Sequence, residues 1–388
     1  MFDEGKYGYF KIKCLPLSLL LKRMLNNKIR QNFSMMLRLN KRRRVLLKKL
    51  IINTKINRDL FLSMRNHIKK LFLNKNKSLK IVYPTNTMLE LGNVCNLHCS
   101  MCPREYEYGK AMDVGFMPIE NFKKIIDELY PYLDSIGLTG LGETLLYPQL
   151  LEAVEYIKSK KKSLIITIST NAHFRGFKEK IAPILPYIDN IQFSIDGIGD
   201  TYEHIRKGAS FAEVNDNIQF TVKKGKNVTF MLNCVVSPEN YWQMKEIVEY
   251  ANKQCIHYVN FNCVSIASAP NISRDYYDFF KSESFLYSVN EVRTLAKLYK
   301  HMEITGPDYP YQGTFRDCIF PWEYPYITWD GFYVPCCGKP FPKLLNFGNV
   351  FEDGVMTVLN SAKAQAFREL WQKNTPPSFC HNCQLTRN

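Results

Sequence analysis

From Thr87 onward the chain predicts an α/β fold built on a parallel sheet. Three observations carry this. Apolar strand-like runs alternate with amphipathic helical stretches, the pattern of successive βα units, about six of them in about 180 residues. A basic stretch with no glycine after Gly8 and no proline after Pro16 precedes them. A cysteine-bearing segment with hairpin character follows.

Residues 1–80 carry 22 Lys and Arg against three acids, whereas the remaining chain carries 30 against 33. The net charge of +16 therefore belongs to a leader, and the body is close to neutral. In the leader, Leu46, Leu47, Leu50 and Ile51, then Leu60, Phe61, Met64, Ile68 and Leu71, recur at helical intervals. This predicts amphipathic helices that pack on the body or on a protein partner, or lie on an anionic membrane surface through Lys41-Arg42-Arg43-Arg44. No aromatic-basic interleaving points to nucleic acid. Strands are expected at 87–91, 135–140, 163–168, 190–195, 227–236 and 258–264. Helices are expected near 119–132, 149–160, 177–186, 211–224 and 239–253, with another at 286–301. Twelve cysteines occur without a secretory leader, and Leu17 to Leu21 is too short to span a bilayer. Clustered cysteines of this kind indicate metal in a reducing cytoplasm, with peripheral membrane contact through residues 1–80 as an option.

The segment after the first strand is Cys95-Asn-Leu-His-Cys99-Ser-Met-Cys102, a C-x3-C-x2-C spacing. Three thiolates on one short loop can hold three irons of a cubane cluster and leave the fourth iron open. A zinc loop completed by His98 uses the same residue types. The spacing, its place after a strand and its place near the start of an α/β domain resemble the signature of the radical S-adenosylmethionine (SAM) enzymes. The resemblance implies a partial (β/α)6 TIM-type barrel whose chemistry gathers at the carboxyl ends of the strands. It also implies that Cys95, Cys99 and Cys102 hold a [4Fe–4S] cluster that chelates SAM and cleaves it reductively to a 5′-deoxyadenosyl radical.

The same resemblance suggests the SAM contacts. Gly140-Leu141-Gly142-Glu143 is similar to the family's GGE segment, with Leu141 in place of a glycine, and implies Gly142 and Glu143 at the SAM ammonium. Ser169 and Asn171 end the third strand, where ribose contacts are expected. Ser194-Ile-Asp-Gly197, followed after eight intervening residues by Arg206, resembles the stretch that grips the SAM carboxylate in SPASM/Twitch-type members, and a guanidinium suits that task. Met101 falls at the adenine position. His98 and His204 read as loop or surface histidines.

Cys318, Cys336, Cys380 and Cys383 form C-x17-C-x43-C-x2-C, with a predicted hairpin over 324–336 turning at Asp330-Gly331. Four thiolates saturate a cluster, and a tetrahedral zinc takes the same four. The layout resembles a Twitch domain, a shortened SPASM domain of hairpin plus helix with one auxiliary [4Fe–4S] cluster. Cys337 is a possible substitute ligand, while Cys14, Cys234, Cys255 and Cys263 read as buried small hydrophobes. The resemblance thus divides the chain into a basic helical extension (1–80), a radical SAM barrel (85–305) and an auxiliary-cluster domain (306–388). It implies an oxidoreductase-like enzyme fed by a reductant such as flavodoxin or ferredoxin. The expected reaction is two-electron oxidation of a sugar or aminocyclitol metabolite. Crosslinking or epimerising a peptide is the enzyme alternative, and a non-catalytic zinc- or cluster-binding interaction protein is the rival of another class.

Overall fold

The computed structural model describes residues 78–269, 271–307, 318–373, 375, 377–380 and 383, together with residues 59, 62–63, 65–67 and 69–70 of the basic extension. The rest of the helices expected in residues 1–80, and the basic run at 41–44, lie outside the described residues.

Eleven strands are described. The first six are β1 (Asn86–Leu89), β2 (His98–Cys99), β3 (Ser135–Leu138), β4 (Ile165–Thr170), β5 (Asn190–Ser194) and β6 (Arg206–Lys207). The others are β7 (Thr229–Val236), β8 (Tyr258–Cys263), β9 (Glu303–Thr305), β10 (Tyr326–Ile327) and β11 (Tyr333–Val334). Nine of them form one sheet in the order β11-β10-β1-β3-β4-β5-β7-β8-β9. Every neighbouring pair is parallel except β10–β11. The helices of six or more residues between them are α1 (Ile119–Leu129), α2 (Leu150–Lys160), α3 (Phe177–Ile184), α4 (Asp200–Ile205), α5 (Phe211–Lys224), α6 (Met244–Lys253) and α7 (Glu283–Leu298). A last one, α8 (Ala362–Gln372), belongs to the C-terminal segment. The six expected βα units are all present.

The packing follows from periodicity. Helix α1 buries Phe122, Ile125, Ile126 and Leu129, an i, i+3, i+4, i+7 stripe. Each such side chain contributes about 1.5–3 kcal/mol relative to exposure. Along β7 the residues alternate between half-buried and buried, with Phe230, Leu232, Cys234 and Val236 in the core. The other face carries half-buried Met231, Asn233 and Val235.

Boundaries moved where turns intervene. Expected at 163–168, β4 begins at Ile165, because Leu164 N–H closes a turn onto the Lys161 carbonyl at 3.0 Å. The hairpin turns where expected, with Gly331 at φ +89 and its N–H on the Thr328 carbonyl at 2.9 Å. Its strand β10 joins the barrel sheet directly, pairing with β1 through Met88 opposite Tyr326. Neither this extension nor the β2–β6 pairing is marked in the sequence by a periodic run.

The base of the sheet is clamped from both ends of the chain. Asn66 Nδ2 donates to the Tyr83 carbonyl at 2.7 Å, His67 pairs with Asp134 at 2.9 Å, and Lys70 with Glu323 at 3.3 Å. Asn360 donates to the Ile81 carbonyl at 3.0 Å and accepts from Ile81 N–H at 2.9 Å. Arg368, 1% exposed, donates to the carbonyls of Pro321, Leu79 and Leu359. Arg368→Met leaves three carbonyls without this donor and is expected to destabilise by roughly 3 kcal/mol. The half-exposed pair broken by Lys70→Met is expected to cost under about 1 kcal/mol. Denaturant unfolding of both variants measures the difference.

Candidate functional site

At the carboxyl end of β1 the chain enters the cysteine loop, which is fastened on three sides. Asn93 accepts from Gly115 N–H at 2.9 Å and donates to the Asp113 carbonyl at 2.7 Å, while Met117 N–H reaches the Leu91 carbonyl at 2.8 Å. Glu143 N–H donates to the Val94 carbonyl at 2.9 Å. Strand β2 then pairs antiparallel with β6, setting Cys99 opposite Arg206, and Ser100 N–H bonds the Ile205 carbonyl at 2.9 Å.

The GLGE segment explains its own glycines. A Cβ on Gly142 would stand 2.4 Å from the Gly92 carbonyl oxygen and 2.7 Å from that of Val94. One on Gly140 would strike the Glu90 side chain at 2.3 Å. The small residues serve close approach to the cysteine loop, whereas the sequence suggests approach to a ligand. Buried Glu90 accepts from Tyr326 Oη at 2.6 Å and Leu141 N–H at 2.9 Å, linking that segment to the C-terminal hairpin. Burial raises the Glu90 carboxyl, opposed by its hydrogen bonds.

The remaining candidates converge on the loop. Glu143 is buried and accepts from Asn171 N–H at 2.7 Å and Leu145 N–H at 3.1 Å. Asn171 Nδ2 points to Cys95 Sγ at 3.8 Å and to Asn96 Oδ1 at 3.1 Å. Arg206 Nη1 lies 3.8 Å from Cys99 Sγ, its Nη2 pairs with Asp196 at 2.6 Å, and its guanidinium stands 5.9 Å from the centre of the Tyr202 ring. Asp196, fully buried, also accepts from Val235 N–H at 2.7 Å. Ser169 and Ser194, at the ends of β4 and β5, are half-buried and make no side-chain hydrogen bond among the described residues. Met101 is half-buried against the core. His98 and His204 are exposed and pair with Glu105 and Glu239.

Burial pushes Cys99 up to about 12, with Arg206 opposing and Asp196, Cys102 and Cys95 adding to the rise. Cys95 and Cys102 are raised for the same reason, with Arg104 opposing. Buried Nη1 of Arg104 and Nε of Arg206 find no hydrogen-bond acceptor among the described residues. Two orphaned cationic donors beside three thiols fit an anionic group, a thiolate-held cluster with a carboxylate-bearing ligand.

In the C-terminal segment Cys318 is pushed well up by burial and then by Cys383, Cys336 and Cys380, so the four thiols share one neighbourhood. Burial raises Cys336 to about 11 and Cys337 to about 12. Four neighbouring half-buried thiols, whose thiolates would repel one another, fit a group that takes their protons and neutralises their charge. Among the described residues no three His, Cys, Asp or Glu side chains gather round a single-ion position. Sequence reasoning assigned no role to Glu90, Asn96, Arg104 or Asp196. An acid inside an apolar strand was the available signal for Glu90, and the SIDG segment itself for Asp196.

Residues 89–251 match the Radical SAM superfamily, and residues 318–384 match an iron–sulfur cluster-binding domain, SPASM. The chain is 25% identical over 319 residues to the tungsten-containing aldehyde ferredoxin oxidoreductase cofactor-modifying protein of Pyrococcus furiosus, covering 76% of this chain and 86% of that protein. It is 23% identical over 313 residues to the antilisterial bacteriocin subtilosin biosynthesis protein AlbA of Bacillus subtilis, covering 77% of this chain and 64% of AlbA. The crystal structure of Streptococcus suis SuiB bound to precursor peptide SuiA has a similar fold, with a TM-score of 0.60 at 15% identity over 89% of this chain and 82% of that one. With a three-thiol loop that follows β1 and four cysteines within the SPASM match, the chain belongs to the radical SAM superfamily and is an enzyme that uses [4Fe–4S] clusters and SAM.

Proposed function

We propose that the enzyme modifies a peptide by hydrogen-atom abstraction inside the barrel, with the C-terminal cluster serving as electron acceptor. The observation that carries the substrate class is an uncharged amide wall on the half-buried face of β7 and β8. Asn260 and Asn262 both donate to Asn233 Oδ1, at 2.9 and 2.7 Å, and Thr305 Oγ1 donates to Asn260 Oδ1 at 2.9 Å. This leaves Asn233 Nδ2 and Asn262 Oδ1 without partners among the described residues, a donor and an acceptor that match a peptide amide. An aminocyclitol ammonium would meet no counter-charge in this row, which disfavours the aminocyclitol form of the expected substrate. The relative AlbA is named for bacteriocin biosynthesis, and the SuiB fold holds a precursor peptide, both in support of the peptide reading.

In this reading Cys95, Cys99 and Cys102 hold the SAM-binding cluster. When bound, that cluster supplies the electron that splits SAM into methionine and the 5′-deoxyadenosyl radical. Arg206, fixed by Asp196, balances charge at Cys99 and offers its Nε side to the SAM carboxylate. Asn171 supports Cys95, and buried Glu143 holds the Asn171 backbone in place. Gly142 lets the GLGE backbone close on the loop for the ammonium contact. Ser169 and Ser194 offer hydroxyls to the ribose, and Met101 packs on the adenine. Cys318, Cys336, Cys380 and Cys383 hold the auxiliary cluster, and a flavodoxin or ferredoxin supplies electrons. Among the described residues no helix is long and apolar enough to cross a membrane. Surface binding through the basic extension belongs to the same proposal.

Anaerobic reconstitution is expected to give about eight irons per chain. Cys99→Ala should retain about half of the iron and form no 5′-deoxyadenosine. Cys318→Ala should also lose about half, yet still cleave SAM. Arg206→Gln should raise the SAM concentration needed to perturb the cluster's paramagnetic resonance spectrum by roughly tenfold or more, the loss of one charge-assisted contact. For the substrate, perdeuterated candidate precursor peptides should pass label into 5′-deoxyadenosine. Transfer from a sugar or aminocyclitol and from no peptide would reverse the assignment.

A further inference from the structure

The C-terminal thiols share their surroundings with a buried ammonium group. Lys339 follows Cys336 and Cys337 in the chain and is only 7% exposed. Its Nζ donates to the carbonyl oxygen of Phe379, the residue before Cys380, and stands 5.2 Å from the centre of the Phe379 ring. The preceding residue is pinned to the barrel, since Ser268 Oγ donates to the Gly338 carbonyl at 2.7 Å. Burial pushes the Lys339 ammonium down from its ordinary value, and the thiols of Cys380, Cys383 and Cys336 hold it up. The influence is mutual: burial raises Cys336 and Cys380, and the Lys339 charge works against that rise.

Other cations of this segment are placed differently. Arg368 spends its donors on three backbone carbonyls at the base of the sheet. Lys343 is exposed and pairs with Asp113 at 3.0 Å. A charge in water is screened, whereas one held out of water acts on its neighbours at low effective dielectric.

We propose that Lys339 sets the reduction potential of the auxiliary cluster, its buried positive charge at the carbonyl that precedes Cys380 stabilising the reduced state. The proposal rests on the reading that Cys318, Cys336, Cys380 and Cys383 hold a [4Fe–4S] cluster, whose potential depends on net charge and hydrogen bonding around the sulfurs. A raised potential suits a cluster that accepts an electron from a substrate radical.

The test is a potentiometric titration of the anaerobically reconstituted full chain, followed by electron paramagnetic resonance, with iron content measured in parallel. Lys339→Met should move the auxiliary midpoint to more negative potential, lowering the reduced-to-oxidised ratio at a fixed poise by about tenfold, which is 59 mV for a one-electron couple. Lys339→Arg, which keeps the charge, and Lys343→Met, which removes an exposed one, should stay within about twofold of the unmodified chain. The SAM-binding cluster should keep its midpoint in every variant. Should Lys339→Met lose auxiliary iron, Lys339→Gln keeps a donor for the Phe379 carbonyl and carries the same comparison. An unchanged midpoint in a neutral variant that retains its iron overturns the proposal, as does an equal shift in Lys343→Met. An unmodified chain that binds only about four irons refutes the cluster assignment, and the proposal with it.

Discussion

A two-residue ladder holds the site together. The pairing of Cys99 with Arg206 brings the cysteine loop and the segment after the fifth strand into one object, although they lie 107 residues apart. The ladder alone contributes few hydrogen bonds, so its persistence depends on the buried ion pair behind it. Asp196 has no access to water, and Arg206 is its charge partner at 2.6 Å. Removing either partner would leave an uncompensated buried charge, a loss of about 3–5 kcal/mol. The arrangement therefore uses electrostatics to hold a geometry that backbone pairing alone would hold weakly.

A second shared carboxylate works in the same way. Glu143 reaches Asn171, Asn171 reaches Cys95, and the Glu143 backbone returns to Val94, so the loop and the segments that follow β3 and β4 form a closed circuit. Glu90 extends it to the C-terminal hairpin through Tyr326. Buried acids with several donors are stiff joints, because moving any one of them strands a polar group away from water.

Much of this was legible in the sequence, and the limits have physical causes. Strands such as Tyr258–Cys263 and helices such as Ile119–Leu129 announce themselves by regular burial, since half of a strand or one stripe of a helix must be apolar. The cysteine spacings are equally plain, because ligation fixes residue type and separation. Two-residue ladders carry no period, so the β2–β6 pairing and the joining of β10 to β1 left no trace in composition. Gly142 was legible as a special position, but its reason was not. Only the structure shows that the backbone pressing against it belongs to Gly92 and Val94.

The parallel seam between β1 and β10 has a bearing on biosynthesis. Glu90 and Tyr326 are 236 residues apart, so the strand that launches the cysteine loop gains its outer neighbour only when the last part of the chain leaves the ribosome. Until then that flank offers unpaired amides and carbonyls to whatever is near.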